Sequence, residues 1–200
     1  MGEKLRLNLG GGLQPYIGYK TVDWIPSADV VHDLRDPLPF ADDSVDEVFA
    51  SHVIEHFPLH QIQEILMDWR RVLTPGGLFW GLVPDGVKVA EGYLQSVAEQ
   101  DWNKKRIWLA NFHGGWTNDK FTGPGQVHYV LYDEDLLTEM LARAHFYPIV
   151  TTTRTLGPEN HAIIFACGKA EYVPMDIRMT GAYPMVPWRP DRFAEEPPLV

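Results

Sequence analysis

The 200-residue sequence has a single cysteine, Cys167, and few basic residues, with 17 Lys and Arg against 27 Asp and Glu. One cysteine excludes an internal disulfide and a structural zinc site built from cysteines. The formal net charge of -10 disfavours nucleic acid as a partner, because affinity for phosphates depends on Lys and Arg. No apolar run of 18 or more residues is present, so we expect no membrane span.

The N-terminus lacks the cationic and apolar regions of a secretion signal, so we expect a soluble cytoplasmic protein. The length favours one domain around one core. We expect this domain over residues 1–168, with a variable acceptor or lid segment over residues 85–132. Residues 169–200 hold six of the 16 prolines and are predicted to form a separate C-terminal tail.

Apolar runs that alternate with turn signals predict an α/β fold with a doubly wound, mostly parallel sheet. The predicted strands cover residues 5–9, 21–24, 29–32, 45–51, 78–83, 147–153 and 162–166. Helical spacing predicts a crossover helix from Pro58 to Leu73, ended by Pro75-Gly76-Gly77, and further helices over residues 87–99, 102–110 and 133–144. The glycine-rich residues 113–125 are predicted to form a loop over a site.

Three glycines, Gly10-Gly11-Gly12, directly follow the first predicted strand, where the backbone must turn tightly or approach a ligand. The dinucleotide motif G-x-G-x-x-G requires glycine where Pro15 stands, and the Gly-Lys-Ser/Thr of a P-loop is absent. A nucleotide-dependent oxidoreductase is therefore disfavoured. An acid ends the next strand, Asp23, and carboxylates at that position accept hydrogen bonds from ribose hydroxyls.

Six segments in order resemble the class I S-adenosylmethionine-dependent methyltransferases, specifically the small type 11 group. They are Leu7-Asn8-Leu9-Gly10-Gly11-Gly12, Val22-Asp23, Asp33-Leu34 with Leu38-Pro39-Phe40, Ser44 to Val48, Ser51 to His56, and Arg71 to Gly77. The resemblance implies a Rossmann-like methyltransferase fold and S-adenosylmethionine as cofactor. Asn8 departs from it, since an acid often stands there, and residues 13–20 are too short for the usual first crossover helix.

The resemblance also implies roles for particular residues. Gly10 to Gly12 would pass beside the methionine part of the cofactor, and Asp23 would bind the ribose diol. The adenine would lie near Trp24, with Asp33 accepting from its amino group. Ser51 and His52, at the end of the fourth predicted strand, would lie under the sulfonium and methionyl group. The full implied cofactor-binding set is Leu9, Gly10, Gly11, Gly12, Asp23, Trp24, Asp33, Leu34, Ser51 and His52.

The sequence His52-x-x-Glu55-His56 also matches an inverted zinc-peptidase motif, in which two histidines on one helical face share a metal. Here the first histidine ends a predicted strand, and Pro58 follows closely after the second. A continuous helix carrying both histidines is therefore not expected, and the sequence predicts no metal.

The acceptor side of the site is expected in the variable segment. His128 and His113 are the candidate catalytic bases, with Asp85 and Tyr132 behind them. Trp116 and Tyr129 are the candidate acceptor-binding residues, because aromatic rings there could form a wall around an acceptor.

The acidic composition favours a small-molecule or sugar acceptor, and a protein acceptor stays open. We expect a monomer or homodimer. The alternative hypothesis is a methyltransferase-fold protein that binds the cofactor or its product without catalysis.

Overall fold

The computed structural model describes residues 4–14, 16–114, 116–117, 120–121, 126–157 and 160–170. The strands in this part of the chain are β1 Arg6–Leu9, β2 Lys20–Asp23, β3 Val30–Val31, β4 Val45–Ser51, β5 Leu73–Pro84, β6 Trp116–Thr117, β7 Lys120–Phe121, β8 Ile149–Gly157 and β9 Asn160–Gly168. The helices are α1 Leu59–Val72, α2 Gly86–Ala98, α3 Trp102–His113 and α4 Glu134–Arg143, and a short 3-10 helix covers Ile54–His56.

Seven strands form one sheet in the order β3-β2-β1-β4-β5-β9-β8. The first five strands in this order pair in parallel, whereas β9 runs antiparallel to both β5 and β8. The predicted fold class, a doubly wound and mostly parallel Rossmann-like sheet, is confirmed. The strand order reverses between β1 and β4, and ligands of open α/β sheets bind at the carboxyl ends of the strands at such a point.

The crossover helix α1 joins β4 to β5 and buries one apolar face against the sheet. Its buried side chains recur at helical spacing: Ile62, Ile65, Leu66, Trp69 and Val72. These side chains share one core with the apolar residues of the parallel strands and of α4. The strand after α1 begins earlier than predicted, because Leu73 pairs with Val45 across an irregularity in the β4–β5 ladder.

The other three helices each begin at an aspartate whose side chain accepts a hydrogen bond from a backbone N–H in the first turn. Asp85 begins α2, Asp101 begins α3 and Asp133 begins α4, with acceptor distances of 3.1, 3.0 and 2.7 Å. The helix α3 extends to His113, and the short strands β6 and β7 pair with each other. The loop predicted over residues 113–125 is therefore wrong for these strand residues and for His113.

The first crossover contains no helix among its described residues, as predicted, and aromatic side chains cover the sheet there instead. These side chains are Tyr16, Tyr19, Phe49 and Trp80. Phe49 and Trp80 are paired in register, with ring centroids 4.2 Å apart. Beneath them the carboxylate of Glu47 accepts hydrogen bonds from the Tyr19 hydroxyl and from Trp80 Nε1, the latter at 2.8 Å.

Cys167 is buried in β9 at 2% exposure. Within the described ranges, none of the helices is both long and apolar enough to cross a membrane. The predicted C-terminal tail lies outside the described residues after Ala170. Beyond the last strand, the backbone of Lys169 forms hydrogen bonds with Gly76 and Gly77 of β5.

Candidate functional site

The glycine turn after β1 is tied to the aspartate at the end of β2. The Gly12 amide donates to Asp23 Oδ2 at 2.9 Å, and the Ile25 amide donates to Asp23 Oδ1 at 3.2 Å. Asp23 is only 6% exposed, and these two backbone donors fix its carboxylate in place. Each carboxylate oxygen has a second lone pair, so Asp23 can also accept from a ligand.

The three glycines have different physical reasons for lacking a side chain. Gly10 has φ +67, and a Cβ there would come 2.7 Å from the Val53 side chain. A Cβ on Gly11 would meet Asn8 Nδ2 at 2.2 Å. Gly12 has φ +55 but no described atom within 4 Å of its Cβ position, so space for a ligand lies beside this glycine.

Asn8, which stands where the resembled family often has an acid, makes a local structural contact. Its side chain is 3% exposed, and Nδ2 lies 3.4 Å from the Gln14 carbonyl oxygen. The side-chain amide therefore stabilises the turn that follows β1. This contact gives a structural reason for the departure from the acid that the family often has at this position.

The residues implied for adenine lie beyond β3. Asp33 is held by Arg35, whose Nε lies 2.9 Å from Oδ1. This hydrogen bond and the charge of Arg35 outweigh partial burial and lower the pKa of the Asp33 carboxyl. Trp24 is 58% exposed, which leaves its ring free to cover a ligand, and Leu34 is half-buried beside the core.

Ser51 and His52 lie at the carboxyl end of β4, next to the glycine turn across the sheet. His52 has φ +55, a left-handed conformation that turns the chain sharply out of the strand. Its Nδ1 lies 3.2 Å from Oε1 of the fully buried Glu55. Burial alone would lower the pKa of His52, but the interaction with the nearby Glu55 carboxylate outweighs it and raises the pKa.

A cavity of about 390 Å³ opens beside this strand end. It is lined by His52, Pro84, Val89, Ile107, Asn111, His128, Gly157, Asn160 and His161. Of the two candidate bases, His128 lines the cavity, whereas His113 is exposed at the end of α3. Burial is the largest effect on His128 and lowers its pKa, so the neutral ring is favoured near pH 7.

Among the other acceptor-side candidates, those with a described side chain do not line this cavity. Tyr129 is 56% exposed and is absent from the described lining residues, and the side chain of Trp116 lies outside the described structure. Asp85 is 4% exposed and caps α2. Burial raises the pKa of the Tyr132 hydroxyl, which disfavours its use as a base.

Sequence reasoning missed three polar residues that line the cavity: Asn111, Asn160 and His161. Asn111 lies in α3, and the other two begin β9. His161 stacks on Trp108 at 6.1 Å and contacts the Thr155 hydroxyl through Nδ1 at 3.1 Å. No spacing motif links these residues, because the cavity joins segments that are distant in sequence.

Comparison with known families supports the sequence resemblance. Residues 19–81 match the family model described as a methyltransferase domain of the type 11 group. This match includes Asp23, Asp33, Ser51 and His52 but begins after the glycine turn. No curated protein sequence matches the chain.

Solved structures share the fold at low sequence identity. A SAM-dependent methyltransferase from Methanosarcina mazei aligns with a TM-score of 0.57 at 14% identity, covering 85% of this chain and 94% of that chain. A possible histamine N-methyltransferase from Thermotoga maritima aligns with a TM-score of 0.54 at 14% identity, covering 84% of each chain.

Two further structures are considerably longer than the region they share with this protein. The chain spans 62% of a possible exported protein from Bordetella parapertussis, with a TM-score of 0.54, 12% identity and 83% of this chain covered. It spans 50% of phosphoethanolamine N-methyltransferase 2 from Haemonchus contortus, solved with S-adenosylhomocysteine, with a TM-score of 0.52, 16% identity and 86% coverage. Together with the match over residues 19–81, this shared fold confirms the resemblance to the class I S-adenosylmethionine-dependent methyltransferases of the type 11 group.

Proposed function

We propose that this chain binds S-adenosylmethionine at the carboxyl ends of β1, β2 and β4 and catalyses methyl transfer to a small-molecule or sugar acceptor. The observation that carries the proposal is the hydrogen bond from the Gly12 amide to Asp23. It joins the glycine turn, which follows β1 beside the point where the strand order reverses, to the carboxylate at the end of β2. Open space lies beside Gly12. A nucleoside with a ribose diol fits this arrangement.

The cofactor supplies a methyl group on a cationic sulfonium, and transfer leaves sulfur with the electron pair of the broken S–C bond. The protein has to hold the acceptor in line with that bond and exclude water. Asp23 would orient the ribose end. The cavity beside His52 and His128 supports an acceptor adjacent to the end of β4, where the resemblance implies that the sulfonium lies.

Binding is tested by calorimetric titration of S-adenosylmethionine into wild type, Asp23→Asn and Asp29→Asn. We expect Asp23→Asn to weaken binding about 10-fold or more, because a hydrogen bond to a charged group contributes about 1.5–3 kcal/mol. Asp29 is the matched control, because its carboxylate also accepts a hydrogen bond from a backbone amide, that of Thr21 at 2.7 Å. Thr21 lies at the start of β2, whereas Asp23 lies at its end. Equal affinities in both variants would contradict the ribose assignment.

Activity is tested by measuring S-adenosylhomocysteine formation with a panel of hydroxylated, amino and sugar acceptors. Product formation that depends on the acceptor supports the proposed methyltransferase activity. Tight cofactor binding with no turnover on the panel or on cell extract would favour the alternative, a protein that binds the cofactor or its product without catalysis.

A further inference from the structure

Three ligating side chains converge beside the candidate acceptor cavity. Glu55 and His56 belong to the short 3-10 helix after β4, and His128 comes from the segment that precedes α4. One ligand atom from each of these residues lies within 4.8 Å of the others. The backbone enforces this convergence, because the amides of Tyr129 and Val130 both donate to the Glu55 carbonyl oxygen, at 2.8 and 3.3 Å.

The carboxylate of Glu55 is buried without a well-formed hydrogen bond. The residue is 0% exposed, and among the described residues neither carboxylate oxygen has a hydrogen-bond donor in good geometry. The nearest basic nitrogen is His52 Nδ1, 3.2 Å from Oε1. Burying a carboxylate with no well-aligned donor is costly, and a bound cation offsets that cost.

Both histidines have one ring nitrogen fixed by a backbone carbonyl. His56 Nδ1 lies 3.1 Å from the Val127 carbonyl oxygen, and His128 Nδ1 lies 2.9 Å from the Asn111 carbonyl oxygen. A carbonyl oxygen only accepts, so each Nδ1 carries the proton and each Nε2 of the neutral ring has a free lone pair. Histidines that bind metals usually have their second nitrogen held in this way.

We propose that the Glu55 carboxylate and the Nε2 atoms of His56 and His128 bind one zinc-class divalent transition-metal ion. Two imidazoles and one carboxylate are the protein ligands of many catalytic zinc sites, which keep a fourth position open. Imidazole donors disfavour Mg²⁺, which prefers oxygen ligands. The sequence predicts no metal because His52 and His56 do not share a helix, whereas this site joins His56 to His128 from another part of the chain.

The open position gives the metal a role that rests on the proposed function. His128 lines the cavity, so a hydroxyl of a bound acceptor can reach the fourth position. A metal there lowers the pKa of that hydroxyl, which then releases its proton to water. The oxygen lone pair forms the new O–C bond while the S–C bond breaks and sulfur keeps the electron pair. The acceptor class is therefore an alcohol or phenol, and the product is a methyl ether.

The test uses untagged full-length protein, treated with a chelator, dialysed free of it and titrated with ZnCl₂ by calorimetry. We expect one zinc per chain, confirmed by elemental analysis after dialysis, and no comparable binding of MgCl₂. His56→Ala and His128→Ala should each weaken zinc binding at least about 10-fold. His60→Ala is the matched control, because this exposed histidine of α1 lies outside the site.

Wild type that binds no zinc, or both site variants binding zinc as wild type does, would overturn the metal site. If an alanine variant fails to fold, X-ray absorption of zinc-loaded wild type decides the question. Two imidazole ligands with Zn–N distances of about 2.0–2.1 Å support the site, and any other ligand set refutes it. Because the zinc titration contains no S-adenosylmethionine, its failure is distinguishable from failure of cofactor binding.

Discussion

At the scale of single residues, Gly114 determines where His128 can lie. Gly114 ends α3 with φ +59, and a Cβ there would come 2.2 Å from the Gln126 carbonyl oxygen and 2.5 Å from the His128 ring. The glycine thus allows the chain before α4 to pack tightly against the end of α3. The position of His128 beside the cavity depends on that close approach.

Gly114→Ala should destabilise the protein more than Gly76→Ala. Both glycines have positive φ, which costs alanine about 1–3 kcal/mol, but Gly76 has no described atom within 4 Å of its Cβ position. We expect Gly114→Ala to cost at least about 1 kcal/mol more, because a backbone oxygen must move. Urea unfolding measures both values, and equal losses would contradict the clash.

The positions of the candidate cofactor residues could be predicted from sequence, because these residues lie at or just after the ends of strands. Gly12 lies in the turn after β1 and Asp23 ends the neighbouring parallel strand β2, so their meeting follows from the order of the strands. Asn111 and His161 could not be predicted, since α3 and β9 meet only after the whole sheet has formed. The expected role of Tyr129 rests on its aromatic ring near the glycine-rich segment, but a position in the sequence does not determine which way a side chain points.

At the scale of elements, α1 is the described helix that buries the most side chains in the core. Leu66 is 0% exposed, whereas the side chain of its neighbour Met67 is 46% exposed to solvent. Leu66→Ala should cost about 2–5 kcal/mol of unfolding free energy, because truncation leaves a cavity. Met67→Ala should change it by no more than about 0.5 kcal/mol. Similar losses of unfolding free energy for both variants in denaturant titrations would contradict the assignment of Leu66 to the buried face of α1.

The contact between α2 and α3 depends on another glycine. A Cβ on Gly92 would meet the Trp108 ring at 2.2 Å. Gly→Ala inside a helix ordinarily stabilises by about 0.5–1 kcal/mol, but here we expect Gly92→Ala to destabilise by about 1–3 kcal/mol. Leu94→Ala, at a side chain that is 66% exposed on the same helix, is the control. Stabilisation by Gly92→Ala in thermal unfolding would refute the close contact.

The elements were predicted from sequence to different degrees. The amphipathic spacing of α1 and the apolar runs of β1 and β4 determine those elements locally. The early start of β5 at Leu73 is not local, because it requires pairing with Val45. The pairing of Trp116 with Phe121 is likewise a contact between two short segments that have no strand pattern of their own.

At the scale of the whole molecule, ligand binding should be visible as stability. S-adenosylmethionine at about 100 times its dissociation constant should add about 2.7 kcal/mol to the free energy of unfolding, if only the folded state binds. Asp23→Asn, with about 10-fold weaker binding, should gain only about 1.4 kcal/mol at the same concentration. Chemical unfolding with and without the cofactor measures both gains.

NADH at the same concentration is the control for the nucleotide-dependent oxidoreductase that Pro15 disfavours. It should leave the unfolding transition unchanged. A gain from NADH that equals the gain from S-adenosylmethionine would contradict the methyltransferase assignment.

The position of β9 in the sheet also has a consequence for how the chain folds. β9 lies between β5 and β8, and Leu82 of β5 pairs with Ile164 of β9. The β8–β9 hairpin pairs residues that are close in sequence, so it can form early. Its docking onto β5 must first close a long loop that contains α2, α3 and α4, and this entropic cost opposes the step. We therefore expect the closing of the central sheet to limit the folding rate, with both sides of the cavity, around His52 and His161, assembled in that same late step.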